Sequence, residues 1–369
     1  LRLRDFKLEV YFEEYEFKAP YLLAQSDCES LSARELLELS GKSSDGFLDT
    51  WLGYTQVRGE PSLREKIAGL YETASMEDVL VHCGAEEAIF NFMNVFLEKG
   101  DHVICQFPVY QSLYEVARSI GCEVSPWELR QTERGWEFDL NLLERSIRPE
   151  TRLLVINNPN NPTGYLINNE ELEEIAALAY RKGIFVFSDE VYRGLELSEE
   201  TPKQRAFMDI CENSLSLGVM SKSYGLAGLR IGWIASHAKD IVESMTRYKH
   251  YTTICNSAPS EYLAERALEC GEKILARNVG IIKNNITLAE SLLLPTGLIR
   301  LNRPGAGPIA FNEYLGGDVD NFCEKLLEDT GVLLLPGSVY DFPGNYFRMG
   351  YGRSGFEEGV QRLKSFLTG

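Results

Sequence analysis

Residues 152–190, "RLLVINNPNNPTGYLINNEELEEIAALAYRKGIFVFSDE", decide the fold. An apolar run leads into a turn rich in Pro, Asn and Gly. Next comes "NEELEEIAALAYRKG" with its apolar residues at helical spacing, and then a second apolar run ending in "SDE". Strand, helix, strand in that order is a parallel crossover unit. Both runs are apolar at consecutive positions, as in strands covered on both faces.

The pattern spreads in both directions. Upstream, "DVLVHC" (78–83) and "DHVICQF" (101–107) read as strands; "AEEAIFNFMNVFL" (85–97) and "YQSLYEVARSIG" (110–121) read as the helices after them. Downstream, "SLSLGVMS" (214–221) is a strand running into "SKSYGLAGLRIG" (221–232). Alternation from about 75 to 235 predicts an α/β chain, a three-layer sandwich with a mostly parallel central sheet. Residues 240–290 look largely helical, and 296–369 mix short strands and helices. We therefore expect a large domain over 45–255 and a smaller α+β domain from 1–44 and 256–369, with an interdomain helix.

The length of 369 residues leaves room for two domains, and 44% hydrophobic with 25% charged residues is ordinary globular usage. A net charge of −18 opposes binding to nucleic acid or anionic membranes. No apolar run is long enough to span a bilayer, and no N-terminal stretch has the order of a signal peptide. Eight cysteines without a C-x-x-C pair suit reduced thiols in a cytoplasmic protein. No metal site is expected: His102 and Cys105, three apart on a strand, face opposite sides.

Ligands of parallel sheets bind beyond the carboxyl ends of the strands, so polar residues there carry the functional signal. "GAEEAI" after the first strand offers the free N–H groups of a helix start to an anion. "PNNPTG" presents Asn161 from a stiff loop. "SDEVY" ends a buried strand with Asp189, which needs a cationic or hydrogen-bonding partner, and places Tyr192 three residues on. "SKSYGLAGLRIG" supplies Lys222 and Arg230, one amine and one planar guanidinium. Singly, each has a plain reading: a connection, a turn, a helix cap, a surface charge. Together they suit a phosphorylated, nitrogen-heterocyclic aldehyde, pyridoxal phosphate.

From "LGYTQVRGEPSLREKIA" to "FRMGYGR" the chain resembles the class I/II aminotransferases, fold type I of the pyridoxal-phosphate enzymes; "NNPNNPTG", "SDEVY" and "SKSYGLAGLRIG" carry the resemblance. It implies pyridoxal 5'-phosphate held by 45–255, with Lys222 forming the Schiff base and moving the substrate proton. Asp189 would pair with the pyridine nitrogen, and Tyr192 and Asn161 with the ring's phenolic oxygen. Tyr110 would lie on the ring face. Ala85 and Glu86 would give backbone N–H groups to the phosphate, joined by Arg230 and Ser221. Arg348 would clamp the substrate α-carboxylate, with Asn161 beside it. Tyr54 would reach the phosphate of a neighbouring subunit, making the active unit a homodimer.

Val219 and Ala85 stand where serines are usual, so Ser221 or Ser223 would have to compensate. Ser26 is the candidate substrate contact from "APYLLAQSDCESLS". The implied reaction moves the α-amino group of an amino acid to a 2-oxo acid; a lyase or cyclising synthase working through the same carbanion is the alternative. Arg58 would meet a side-chain carboxylate or make a structural salt bridge, and Tyr21, Trp51 and Tyr54 would line a pocket for apolar donors.

Overall fold

Seven strands build the central sheet: β1 (Val79–His82), β2 (His102–Phe107), β3 (Glu123–Glu128), β4 (Thr151–Asn157), β5 (Phe185–Asp189), β6 (Ser214–Val219) and β7 (Gly232–Ala235). Their spatial order in the computed structural model, which describes residues 3–133, 135–198 and 200–369, is β1-β7-β6-β5-β4-β2-β3. Only β7 runs antiparallel to its neighbours. The chain is thus α/β with a mostly parallel sheet, as the alternation predicts.

The helices that matter below are α1 (Lys7–Tyr15), α2 (Ala85–Phe96), α3 (Ser112–Ile120), α4 (Asn169–Lys182), α5 (Lys239–Lys249), α6 (Gly271–Leu293), α7 (Val319–Thr330) and α8 (Phe356–Thr368). On β4, Leu153 and Val155 point into a core shared with α2, α3 and α5, while Leu154 and Ile156 point into one shared with α4. Each large apolar side chain so buried contributes about 1.5–3 kcal/mol. That two-sided burial explains the unbroken apolar runs. α4 starts where Asn168 and Glu171 cap each other's backbone N–H, at 2.9 and 3.1 Å, and stops at Gly183 with φ 67°.

A second, antiparallel sheet comprises β8 (Ile299–Arg300), β9 (Ile309–Tyr314), β10 (Leu335–Pro336) and β11 (Tyr346–Gly350), in the order β8-β9-β11-β10. With α7 and α8 it encloses a core around Phe322, Phe347 and Leu363. α6 contributes Ile282 and Ile286 to this core, and Ile274 to one beneath Val79, Val81 and Trp233.

The first residues follow neither sheet. α1 packs on Phe311, Leu333, Leu335 and Tyr340. Tyr21–Leu22 pairs in parallel with Val332–Leu333, and the chain then runs against the end of β11. There a Cβ on Gly350 would lie 1.9 Å from the Gln25 carbonyl oxygen, so glycine is what admits residues 24–27 so close.

Candidate active site

A cavity of about 540 Å³ opens beyond the carboxyl ends of β4, β5 and β6. The structure brings Ala85, Glu86, Tyr110, Asn161, Asp189, Tyr192, Ser221, Lys222, Arg230 and Arg348 to its walls. Ser26 lines it too.

The asparagine loop is tied by its own side chains. Asn157 Oδ1 accepts from Asn161 N–H at 2.6 Å, Asn158 Oδ1 from Ile167 N–H at 2.8 Å, and Asn160 Oδ1 from the Thr163 hydroxyl at 2.6 Å. Asn161 is thereby fixed over the cavity, where its Oδ1 accepts from Tyr340 Oη at 2.9 Å and Arg348 Nη1 at 3.2 Å. Arg348 is fully buried; its Nε and Nη2 both donate to the Ala24 carbonyl, at 3.0 and 2.7 Å. The guanidinium plane is set before any ligand arrives.

Asp189, 4% exposed at the end of β5, receives one hydrogen bond from Val191 N–H at 3.2 Å. Burial pushes its carboxyl up to about 7, more than that bond can offset. Lys222 Nζ donates to Ser26 Oγ at 2.8 Å, and burial holds the amine below its ordinary value. The Glu86 carboxyl, at the start of α2, is also raised by burial, to about 7.

Two glycines shape the anion end. A Cβ on Gly84 (φ 90°) would meet Arg230 Nη2 at 2.5 Å, and one on Gly232 would meet Ala85 N at 2.7 Å. Without those side chains Arg230 lies against the N-terminus of α2, where free N–H groups and a guanidinium converge. Arg230 has φ 51°, a left-handed conformation that side chains seldom adopt.

This donor set fits pyridoxal phosphate. The Tyr192 hydroxyl is fully buried on the cavity wall, where a ring oxygen can meet it. No cation pairs with the Asp189 carboxyl among the described residues, Lys222 supplies the amine, and α2 with Arg230 supplies an anion cradle.

The model of the aminotransferase class I and II family matches residues 27–363. The chain belongs to that family. An aspartate aminotransferase of Thermotoga maritima is 30% identical over 322 residues, covering 85% of this chain and 83% of that protein. Capreomycidine synthase of Streptomyces vinaceus is 29% identical, covering 84% of this chain and 79% of that one. The crystal structure of a PLP-dependent aminotransferase from Streptococcus suis superposes with a TM-score of 0.94 at 32% identity, covering 100% and 98% of the two chains. This is a pyridoxal-phosphate-dependent aminotransferase acting on amino and 2-oxo acids. No helix among the described residues is long and apolar enough to cross a membrane.

The rest of the aminotransferase site departs from expectation in places. Of the two serines, Ser221 lines the cavity, while the Ser223 hydroxyl is turned to the carbonyls of Val191 and Arg193, both at 3.0 Å. Ser223 therefore does not replace the missing hydroxyl at Val219. Tyr21, Trp51 and Tyr54 do not line this chain's cavity. Tyr21 donates to Glu358 at 2.7 Å, and Trp51 and Tyr54 are 78% and 84% exposed. Arg58 follows the salt-bridge reading: it is paired with Glu77 at 3.1 Å, outside the cavity.

Sequence reasoning missed α1. It roofs the cavity with Phe6, Glu9, Phe12 and Glu16, a stripe spaced three or four residues apart. Glu9 accepts from Tyr110 Oη at 2.9 Å, and Phe6 packs on the Tyr110 ring with centroids 4.9 Å apart. The available signal was that spacing, which mixes aromatics and acids on one face.

Proposed function

We propose that this aminotransferase transfers an α-amino group from an amino acid to a 2-oxo acid with Lys222 as proton carrier, Asp189 as partner of the pyridine nitrogen and Arg348 as carboxylate clamp. The observation that carries the reading is that Lys222, Asp189 and Arg348 all line one cavity. When bound, pyridoxal phosphate supplies an electrophilic carbon and an electron-withdrawing ring.

The chain's own residues do the remainder. The buried carboxyl of Asp189 gains a cationic partner on meeting a protonated ring nitrogen, which holds that proton in place. Lys222, its amine kept less basic by burial, takes the proton from the substrate α-carbon and returns it. Arg348 meets the α-carboxylate with a guanidinium already oriented by Ala24, Asn161 and Tyr340. Tyr192 and Asn161 orient the ring oxygen, Tyr110 the ring face. Ala85, Glu86, Ser221 and Arg230 hold the phosphate. α1 excludes water from above.

The reading takes 45–255 as the cofactor-binding domain and 1–44 with 256–369 as the small domain. It makes the active unit a cytoplasmic homodimer with Tyr54 entering the neighbouring site. Supporting it, Leu48, Trp51, Leu52 and Tyr54 are 74–84% exposed in one short stretch, and all eight cysteines are free.

Lys222→Ala, assayed with amino donor and 2-oxo acid, is expected to give no more than one turnover per site. Undiminished turnover overturns the reading. The lyase or cyclising-synthase alternative draws support from the likeness to capreomycidine synthase. Ammonia or pyruvate release from the amino acid with no 2-oxo acid present would favour it.

A further inference from the structure

The charges around the cavity do not cancel once the reading above has used what it needs. Lys222, Arg230 and Arg348 are assigned to the cofactor aldehyde, its phosphate and the substrate α-carboxylate. Asp189 is assigned to the ring nitrogen. Asp27 is held by Arg353 through two hydrogen bonds of 3.0 and 2.7 Å. Glu86 stands at the start of α2, its carboxyl raised by burial to about 7. Glu9 and Glu16 remain. Both line the cavity, and no basic side chain pairs with either among the described residues.

A second observation points the same way. Gln25 lines the cavity, is 5% exposed, and its side-chain oxygen has no hydrogen-bond partner among the described residues. Its Nε2 reaches Glu16 Oε1 at 3.5 Å, which fixes the amide's orientation, since the flipped form would set oxygen against oxygen. A buried carbonyl oxygen without a donor, beside carboxylates, calls for a group that only donates.

We infer that the amino donor carries a cationic side chain, a guanidinium or a primary ammonium, seated beneath α1 against Glu16, Gln25 and Glu9. The inference rests on the aminotransferase reading of the site. A side-chain carboxylate finds the opposite of what it needs from this chain, because every cation that the chain places on the cavity wall already has a role and Arg58 is bonded to Glu77. A purely apolar side chain leaves two carboxylates without a cation and the Gln25 oxygen without a donor. The Phe12 ring, also on the wall, suits the methylene stem of a long basic side chain.

The test compares L-arginine, L-ornithine, L-lysine, L-norleucine and L-aspartate as donors to the cofactor-loaded enzyme. The expected result is a kcat/KM for the best basic donor about tenfold or more above those for norleucine and aspartate. Glu16→Gln, and Glu9→Gln, which keeps an acceptor for Tyr110, should each reduce the basic-to-norleucine ratio about tenfold. Arginine leading identifies a guanidinium ligand, ornithine or lysine an ammonium. A second measurement needs no turnover: calorimetric titration with 5-guanidinopentanoate, which lacks the α-amino group, against hexanoate. Tighter binding of the guanidino acid, lost in Glu16→Gln, is expected. Aspartate as best donor, or ratios unchanged in both variants, overturns the inference. If no amino acid is turned over, the aminotransferase reading fails, and the titration still decides the cationic subsite.

Discussion

Lys222 Nζ donates to Ser26 Oγ at 2.8 Å, joining the reactive amine to a segment 196 residues upstream. The bond favours the charged amine. Ser26→Ala should therefore lower the Lys222 pKa further and keep the free base available in more acid solution. The acid limb of the kcat–pH profile is expected to move down by about half a unit or more. An unmoved limb means that the serine does not bear on the proton carrier.

Arg348→Lys keeps a charge and loses the planar fork that Ala24, Asn161 and Tyr340 hold in place. We expect kcat/KM to fall by roughly a hundredfold, about 3 kcal/mol, for the amino acid and the 2-oxo acid alike. KM should rise for both. A loss confined to one substrate would contradict a shared carboxylate clamp.

Asp189 makes the stability of the cofactor-free protein depend on pH. Its carboxyl rises from 3.8 to about 7 on folding. A raised folded value gives stability that is complete below the unfolded value and lost as pH climbs through the folded one. The loss should fall between about pH 4 and 7 and amount to at most about 4 kcal/mol. Asp189→Asn should make it shallower, seen as urea midpoints that decline less over that range; what remains includes the contribution of Glu86, whose carboxyl burial also raises to about 7.

Lys249 is fully buried and donates to the carbonyls of Val57 and Val81, both at 2.8 Å, and to Asn256 Oδ1 at 3.0 Å. Lys249→Met strands three acceptors and should cost about 3 kcal/mol in urea unfolding. Burial first, and then the Lys249 charge, lower the neighbouring His82 from 6.5 to about 4. A depressed folded value gives stability above the unfolded value that is lost as pH falls through the folded one. The variant should therefore lose less of its remaining stability between pH 6.5 and 4.

The site was legible where chain direction alone decides position. Asn161 and Lys222 follow the carboxyl ends of β4 and β6, Asp189 closes β5, and the shared direction of parallel strands brings those ends to one crevice. Other parts were hidden. β3 carries Pro126 and buries only Trp127, which reads as loop until it is seen to be an edge strand, where a missing N–H is tolerated. β7 is four residues inside a Gly-rich stretch. Lys249 reads as an ordinary helix charge, because two of its three acceptors, the Val57 and Val81 carbonyls, lie far off in sequence. α1 stayed unread because its acidic stripe looks solvated until the cavity beneath it is known.

Residues 6–26 supply the roof over the ligand, the acceptor for Lys222 and the carbonyl that anchors Arg348, yet they precede the stretch matched by the family, which begins at residue 27. On the inference drawn above, selectivity is thus written mainly in a portion of the polypeptide that carries neither Lys222 nor Asp189. Exchanging the leading portion for that of another aminotransferase would be expected to transplant its preference among amino acids while the chemistry at Lys222 and Asp189 stays in its own frame.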